Sequence, residues 1–369
     1  MSRDSIIIKT SIVGILTNIL LAVFKAFVGM VSNSIAVILD AVNNLSDALS
    51  SIITIVGTKL AGKLPDKKHP MGYGRIEYLS AMIVSGIVLY AGITSLVESV
   101  KKIIHPETPD YSVTSLIIIA VAVLVKIVLG KYVKAQGQKV NSGSLVASGA
   151  DALFDAVLSA SVLVSAIVFI LSGLSLEAYV GAVISGFIIK SGIEMMRETL
   201  DEILGARADK EMISKIKHLL AQNPQVRGAY DLFMYNFGPD KYYGSVHLEV
   251  PDFMNAKEID DLTREMETKI YQETGVILTG VGVYAYNTHD DEALKIEKEV
   301  KQLVLKHKWA IQVHGFYLNI EAKMMRFDVV MSFDIKPQDG VQTLYDELKK
   351  IYPDFDIKIA PDVDVSTTE

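Results

Sequence analysis

Three carboxylates and one amide stand where ionisable groups are rare. Asn43 and Asp47 lie four residues apart inside one long apolar run, and Asp151 and Asp155 lie four apart inside another. An i, i+4 spacing stacks each pair on one helix face, one turn apart. A charged side chain in hydrocarbon costs roughly 2.5–3.5 kcal/mol on insertion scales, so such residues are functional by default. Polar contact between helices accounts for Asn44, Ser46 and Ser148. It accounts poorly for carboxylates with no basic residue beside them, Lys25 and Lys126 being the nearest intramembrane cations. Two facing pairs form a four-ligand oxygen cage for a metal ion. Oxygen-only sets suit Mn²⁺, Mg²⁺ or Ca²⁺, whereas Zn²⁺ sites usually include nitrogen or sulfur. Mg²⁺ sheds its water reluctantly, which disfavours a compact cage. Mn²⁺ is the favoured cargo and Fe²⁺ the next. Three ionised carboxylates with a dication keep a residual negative charge. Once the metal leaves, protons must return to keep the cage tolerable in a low dielectric. Protons are therefore the expected counter-ion.

The elements that position these residues are legible as apolar runs. The chain is 50% hydrophobic, with a mean hydropathy of +0.33. Segments long enough to cross a bilayer are predicted at Ile6–Val31, Ser34–Leu60, Ile76–Val97, Ser112–Val133, Ser144–Leu171 and Leu176–Ile193, the last continuing to about Leu204. Met1–Lys9 lacks a signal-peptide pattern, so the first run reads as a true span. Lys63, Lys67, Lys68 and Arg75 follow segment 2, and Lys131, Lys134 and Lys139 follow segment 4. The positive-inside rule makes those loops and both termini cytoplasmic. The expected location is the plasma membrane, with the lipid bilayer as a partner. At ~1.5 Å per residue both acidic pairs then sit roughly 15–25 Å from the cytoplasmic surface, at one depth. There is no cysteine, so disulfides and thiolate ligands are excluded. A net charge of -7 disfavours nucleic acid as a partner.

The expected domains are a six-helix transmembrane domain over 1–204, an α+β domain over 205–290, and a second α+β domain over 291–369 that repeats the first. Val226-Arg-Gly-Ala-Tyr230 is matched with Val313-His-Gly-Phe-Tyr317, and strands ending at Pro251 and Pro337 are matched with each other. Each copy reads helix, strand, strand, helix, strand. Alternation is clear in Ser245–Val250 and Asp328–Ile335.

Together, Asp40-Ala-Val-Asn-Asn-Leu-Ser-Asp47, Asp151-Ala-Leu-Phe-Asp155, the loop His69-Pro-Met-Gly-Tyr-Gly-Arg-Ile-Glu77 and the six-helix plan followed by a soluble module resemble the cation diffusion facilitator family. The resemblance covers residues from about 6 to 290. Zinc members carry His at the position of Asp151, and His or Asp at that of Asn43, so this set is similar to the manganese branch. The resemblance implies Mn²⁺ efflux from the cytoplasm by a homodimer, through proton-coupled alternating access, and a metallochaperone-like cytoplasmic fold. It also implies a weak loop metal site at Asp66 and His69, where Tyr73 replaces the second His. A charge interlock between Arg75 and Asp201 is implied as well. Of the family's cytoplasmic zinc cluster only His247 is kept, with tyrosines at Tyr230, Tyr284 and Tyr286, so no comparable site is expected. His307 and His314 in the second module show no ligand spacing.

Fe²⁺ or Zn²⁺ efflux by the same route is the nearest alternative. A different class, an intramembrane aspartyl protease using Asp47 and Asp151, lacks its Gly-x-Gly-Asp pattern, since Ser148-Gly149-Ala150 precede Asp151. A metal sensor that binds without transport lacks a site in the soluble half.

Overall fold

The computed structural model describes residues 2–31, 35–105, 113–172, 176–239 and 241–363. The chain forms two compact units, Met1–Ala206 with Phe237–Pro239, and Arg207–Asn236 with Asp240–Glu369.

The first unit holds six helices: α1 (Arg3–Val31), α2 (Ile35–Ala61), α3 (Ile76–Ile104), α4 (Val113–Lys139), α5 (Gly143–Ser172) and α6 (Glu177–Leu204). Each is 27 to 30 residues long. At ~1.5 Å per residue that exceeds a hydrocarbon core of about 30 Å. Five of them, α1 and α3 to α6, are long and apolar enough to cross a membrane; α2 matches them in length. Helices pack most closely as the pairs α1–α2, α3–α6 and α4–α5. The surface is inverted relative to a water-soluble bundle. Leu16, Leu20, Phe27, Tyr90, Leu124 and Val128 are exposed, while Ser50, Thr54, Thr58 and Ser85 are buried. The Thr54, Thr58 and Ser85 hydroxyls donate to carbonyls one turn back, so they bury no unmatched donor. At one end of the bundle Arg3 forks onto Glu77 at 2.6 and 2.8 Å and also donates to Val140 and Asn141 carbonyls. This clasp ties α1 to α3 and to the α4–α5 turn, and no sequence pattern announced it.

The second unit contains two modules of identical topology. The first is α7 (Lys210–Ala221), β1 (Gly228–Asn236), β2 (Tyr242–Pro251), α8 (Ala256–Thr274) and β3 (Ile277–Tyr286). The second is α9 (Asp291–Val304), β4 (Ala310–Asn319), β5 (Met324–Met331), α10 (Pro337–Ile351) and β6 (Asp356–Val363). In each sheet the first two strands pair antiparallel and the third joins the middle strand in parallel, across a helix. Caps start the helices: Asp209 on α7, Asn255 with Glu258 as a capping box on α8, and Asp290 on α9. Each module has its own core, Ile216, Leu248 and Ile270 in one and Phe327, Val329 and Leu344 in the other.

The register corrects the markers used to match the modules. β1 is bulged between Tyr230 and Phe233, and β4 between His314 and Tyr317. Tyr230 pairs with His247, and His314 pairs with Asp328. Tyr230 therefore corresponds to His314, not to Tyr317. β5 also ends at Met331 rather than Ile335, because Ser332 opens a turn whose hydroxyl lies against Asp334. Pro337 then occupies the first turn of α10, where its missing N–H is not needed, and closes no strand.

Candidate metal centre

Asp47 is on α2 and Asp155 on α5, and Lys126 on α4 joins them. Its ammonium donates to Asp155 Oδ2 at 2.8 Å and to Asp47 Oδ2. The register of α4 against α5 explains why. A Cβ on Gly130 would lie 3.0 Å from the Gly149 carbonyl oxygen, and one on Gly149 would lie 2.5 Å from the Lys134 backbone nitrogen. Only glycine permits that approach, as small residues do between membrane helices. One turn back from Gly130 along α4 is Lys126, which then reaches the level of Asp155. The expectation that no basic residue stands beside the carboxylates is overturned. The lysine side chain is 5% exposed, against 12% for Asp47 and 22% for Asp155. Removing one member of a buried ion pair typically costs about 3–5 kcal/mol. Asp151, one turn before Asp155 on α5, is buried. Asn43 lies on α2 one turn before Asp47, and its side chain is outside the described residues.

The loop residues are placed differently. Asp66 Oδ1 accepts from the backbone amides of Lys68 and His69 at 3.0 and 2.9 Å, and Oδ2 accepts from the Tyr73 hydroxyl at 2.6 Å and Lys63 at 3.2 Å. The Tyr73 hydroxyl and then the His69 amide hold the Asp66 carboxyl well below its usual range. His69 Nδ1 stands 3.8 Å from Asp66. Arg75 and Asp201 are both exposed, at the start of α3 and in the last turns of α6; the Arg75 guanidinium lies 4.7 Å from the centre of the Phe237 ring.

The second unit contains a cluster of carboxylates and imidazoles that no ligand spacing in the sequence brought together. Asp231, His314 and Asp362, on β1, β4 and β6, each bring a donor atom within 4.8 Å of the others. His314 Nε2 stands 2.8 Å from Asp231 Oδ1 and 3.7 Å from Asp362 Oδ2. His247 Nδ1 on β2 stands 2.9 Å from Asp231 Oδ2. These distances suit hydrogen bonds but the orientations do not. Among the described residues neither ring nitrogen of His314, nor His247 Nδ1, nor Asp231 Oδ1, has a hydrogen-bond partner. An unmatched buried polar group costs about 1–3 kcal/mol, so several in one place call for a cause. Around them the Tyr284 hydroxyl donates to Asp231 Oδ2 at 2.7 Å and lies 3.0 Å from Asp328 Oδ2. The Tyr230 ring stacks on His314 and the Tyr284 ring on His247. Gly282 leaves room for the imidazole, since a Cβ there would overlap the His247 ring. Burial opposes ionisation of Asp231, but His247 and His314 outweigh it and hold the carboxyl far below its usual range. Burial, followed by the neighbouring Asp231, pushes Asp362 up to about 6. A consistent clue in the sequence was the residue type on each strand: acid or imidazole at positions that face one another once the modules are matched on His314 rather than on Gly315.

Ionisable groups buried among long apolar helices define a multi-pass membrane protein with an ion pathway. The chain belongs to the cation efflux family. The family's transmembrane-domain model matches residues 11–204, and its cytoplasmic-domain model matches residues 208–279. An uncharacterised transporter of Methanocaldococcus jannaschii is 28% identical over 262 residues, covering 71% of this chain and 92% of that protein. The manganese efflux system protein MneP of Bacillus subtilis is 26% identical over 279 residues, covering 73% and 93%. The magnetosome protein MamB of Paramagnetospirillum magneticum is 24% identical over 257 residues, covering 69% and 86%. The protein is thus a metal-cation transporter and not an enzyme, which sets aside the protease reading.

Proposed function

We propose that the protein exports Mn²⁺ from the cytoplasm in exchange for protons, using Asn43, Asp47, Asp151 and Asp155 as the transport cage. The observation that carries this reading is the meeting of Asp47 and Asp155, from two helices, on one buried lysine. Its charge enters the balance. Three carboxylates and one ammonium leave two negative charges, which a single dication cancels. Lys126 occupies one oxygen of each aspartate, so an arriving metal competes with it for those oxygens. The lysine is a tethered cation that holds the cage together between ions and yields to each one. Protons take up the remaining charge when the metal has gone.

The all-oxygen donor set supports Mn²⁺ over Zn²⁺, as does the likeness to a manganese efflux protein. The working form is a homodimer in the plasma membrane with six spans and both termini in the cytoplasm. Arg75 with Asp201 links the ends of α3 and α6, and the loop site at Asp66 and His69 is at most weak. The two cytoplasmic modules are copies of one ancestral unit. Flux into proteoliposomes tests the central reading. Wild type should carry Mn²⁺ ahead of Zn²⁺ and Fe²⁺, with uptake driven by a pH gradient. Asp151→His should raise Zn²⁺ flux at the expense of Mn²⁺. Unchanged selectivity in that variant, or flux indifferent to the pH gradient, overturns the assignment of cargo or of counter-ion respectively.

A further inference from the structure

We propose that the two cytoplasmic modules hold one transition-metal dication between their sheets, with Asp231, His314 and Asp362 as ligands. This site is separate from the membrane cage and does not depend on what the cage transports.

Three observations carry it. The first is the convergence of donors from both modules. Ligands at about 2.1 Å from a metal lie roughly 3–4.2 Å apart, and the donor atoms of Asp231, His314 and Asp362 lie within 4.8 Å of one another, so a small closure brings all three onto one ion. The second is the unmatched imidazole. His314 is 1% exposed, and its ring nitrogens are without hydrogen-bond partners among the described residues. One of them, Nε2, nonetheless lies 2.8 and 3.7 Å from two carboxylate oxygens. A buried imidazole nitrogen this close to two carboxylates, yet bonded to neither, can share a metal ion with both. The third is the backbone. Asp231 adopts a left-handed conformation, φ 52°, at the β1 bulge, and Gly315 does so at the matching bulge of β4, φ 62°. Asp231 accepts the strain of a position that favours glycine, which an inward-turned carboxylate explains.

The donor chemistry selects the ion. Imidazole with carboxylates suits Zn²⁺, Mn²⁺, Fe²⁺ or Co²⁺, while Mg²⁺ and Ca²⁺ take oxygen alone. The second module supplies His314 and Asp362, and it lies beyond residues 208–279, where the cytoplasmic family model matches. A bound ion would clamp the two modules through β1, β4 and β6.

The test is metal stoichiometry of the full-length protein in detergent, after equilibrium dialysis against micromolar Zn²⁺ or Mn²⁺. Wild type should retain one more ion per chain than His314→Ala and than Asp362→Asn, whatever the membrane cage holds. Asp362 is partly exposed, so its variant guards against a folding failure at His314. Co²⁺-loaded wild type should also show a visible ligand-field band that both variants lose, and Ca²⁺ should not compete for the site. Equal stoichiometry in wild type and variants overturns the proposal and leaves a polar seam between the sheets. Competition by Ca²⁺ at equal concentration overturns the role of the imidazole. Mn²⁺ flux through the cage is not a readout of either result.

Discussion

The membrane unit and the cytoplasmic unit each gather carboxylates around nitrogen, and they do so in opposite ways. In the membrane the nitrogen is a lysine ammonium, and it donates to both aspartates. In the cytoplasmic unit the nitrogens are imidazoles, able to act as ligands themselves, and they stand 2.8 and 2.9 Å from the oxygens of one carboxylate. A cage closed by a lysine must exchange one cation for another, and so suits an ion in transit. A cluster of imidazole and carboxylate accepts an ion by addition, and so suits one that stays. The surrounding dielectric sharpens the contrast. Hydrocarbon provides no water to solvate an uncompensated charge, so the membrane site carries its own counter-ion. The cytoplasmic cluster borders solvent through His247, whose side chain is 42% exposed.

The largest effect should come from removing a cage carboxylate. Asp155→Ala should lower Mn²⁺ flux in proteoliposomes by roughly 100-fold or more, since it removes a proposed ligand and half of the lysine's pairing. Flux retained within ten-fold would break the contrast, because Asp155 would then be only a partner for Lys126. Lys126→Gln comes next. Without the competing charge the cage should bind Mn²⁺ roughly ten-fold tighter and release it more slowly, so flux falls while affinity rises. A variant that loses both would show Lys126 to be a structural tie and not a displaceable cation.

A smaller effect separates the two units by burial. Glu77 is buried against Arg3 in the first unit, and Glu249 is buried against the more exposed Arg227 in the second. Glu77→Gln should destabilise by about 3–5 kcal/mol, as for a broken buried pair. Arg227 also keeps Glu297, at 3.2 Å, so Glu249→Gln should cost about half as much. Thermal unfolding of the purified protein reads both. Equal shifts would mean that solvent near Arg227 does not soften the loss.

Much of this is legible in the sequence. Apolar runs place the long helices to within a few residues at most ends, because bilayer thickness leaves little choice. The α3 and α4 runs stop short of their helices, which carry on through polar residues such as Glu98 and Lys134. The acidic pairs stand out because hydrocarbon penalises a carboxylate that has no functional role. Lys126 is visible but not its partner, since a partner depends on which glycines let two helices touch. The cytoplasmic cluster is hidden for a related reason. Its donors come from different strands, and only bulge positions bring them into line. Matching the modules on Gly228 and Gly315 puts them three residues out of step, whereas the bulges at Tyr230 and His314 set the true register.

A third acid tests the comparison from the other side. Asp66 resembles the cage residues in type, but all four of its acceptor positions are filled by protein donors. A carboxylate so fully matched has no lone pair to offer a metal. Its lowered pKa also fixes the sign of its pH dependence. The turn it caps keeps Asp66's full contribution above the ordinary carboxylate range near pH 4, and loses it only as pH falls through the lower folded value. Asp66→Asn should therefore leave Mn²⁺ flux within about two-fold of wild type at pH 7, while trypsin cuts faster at Lys67 and Lys68 as the turn loosens. A ten-fold loss of flux without faster cleavage would reverse the conclusion, because the carboxylate would then act on the ion and not on the turn.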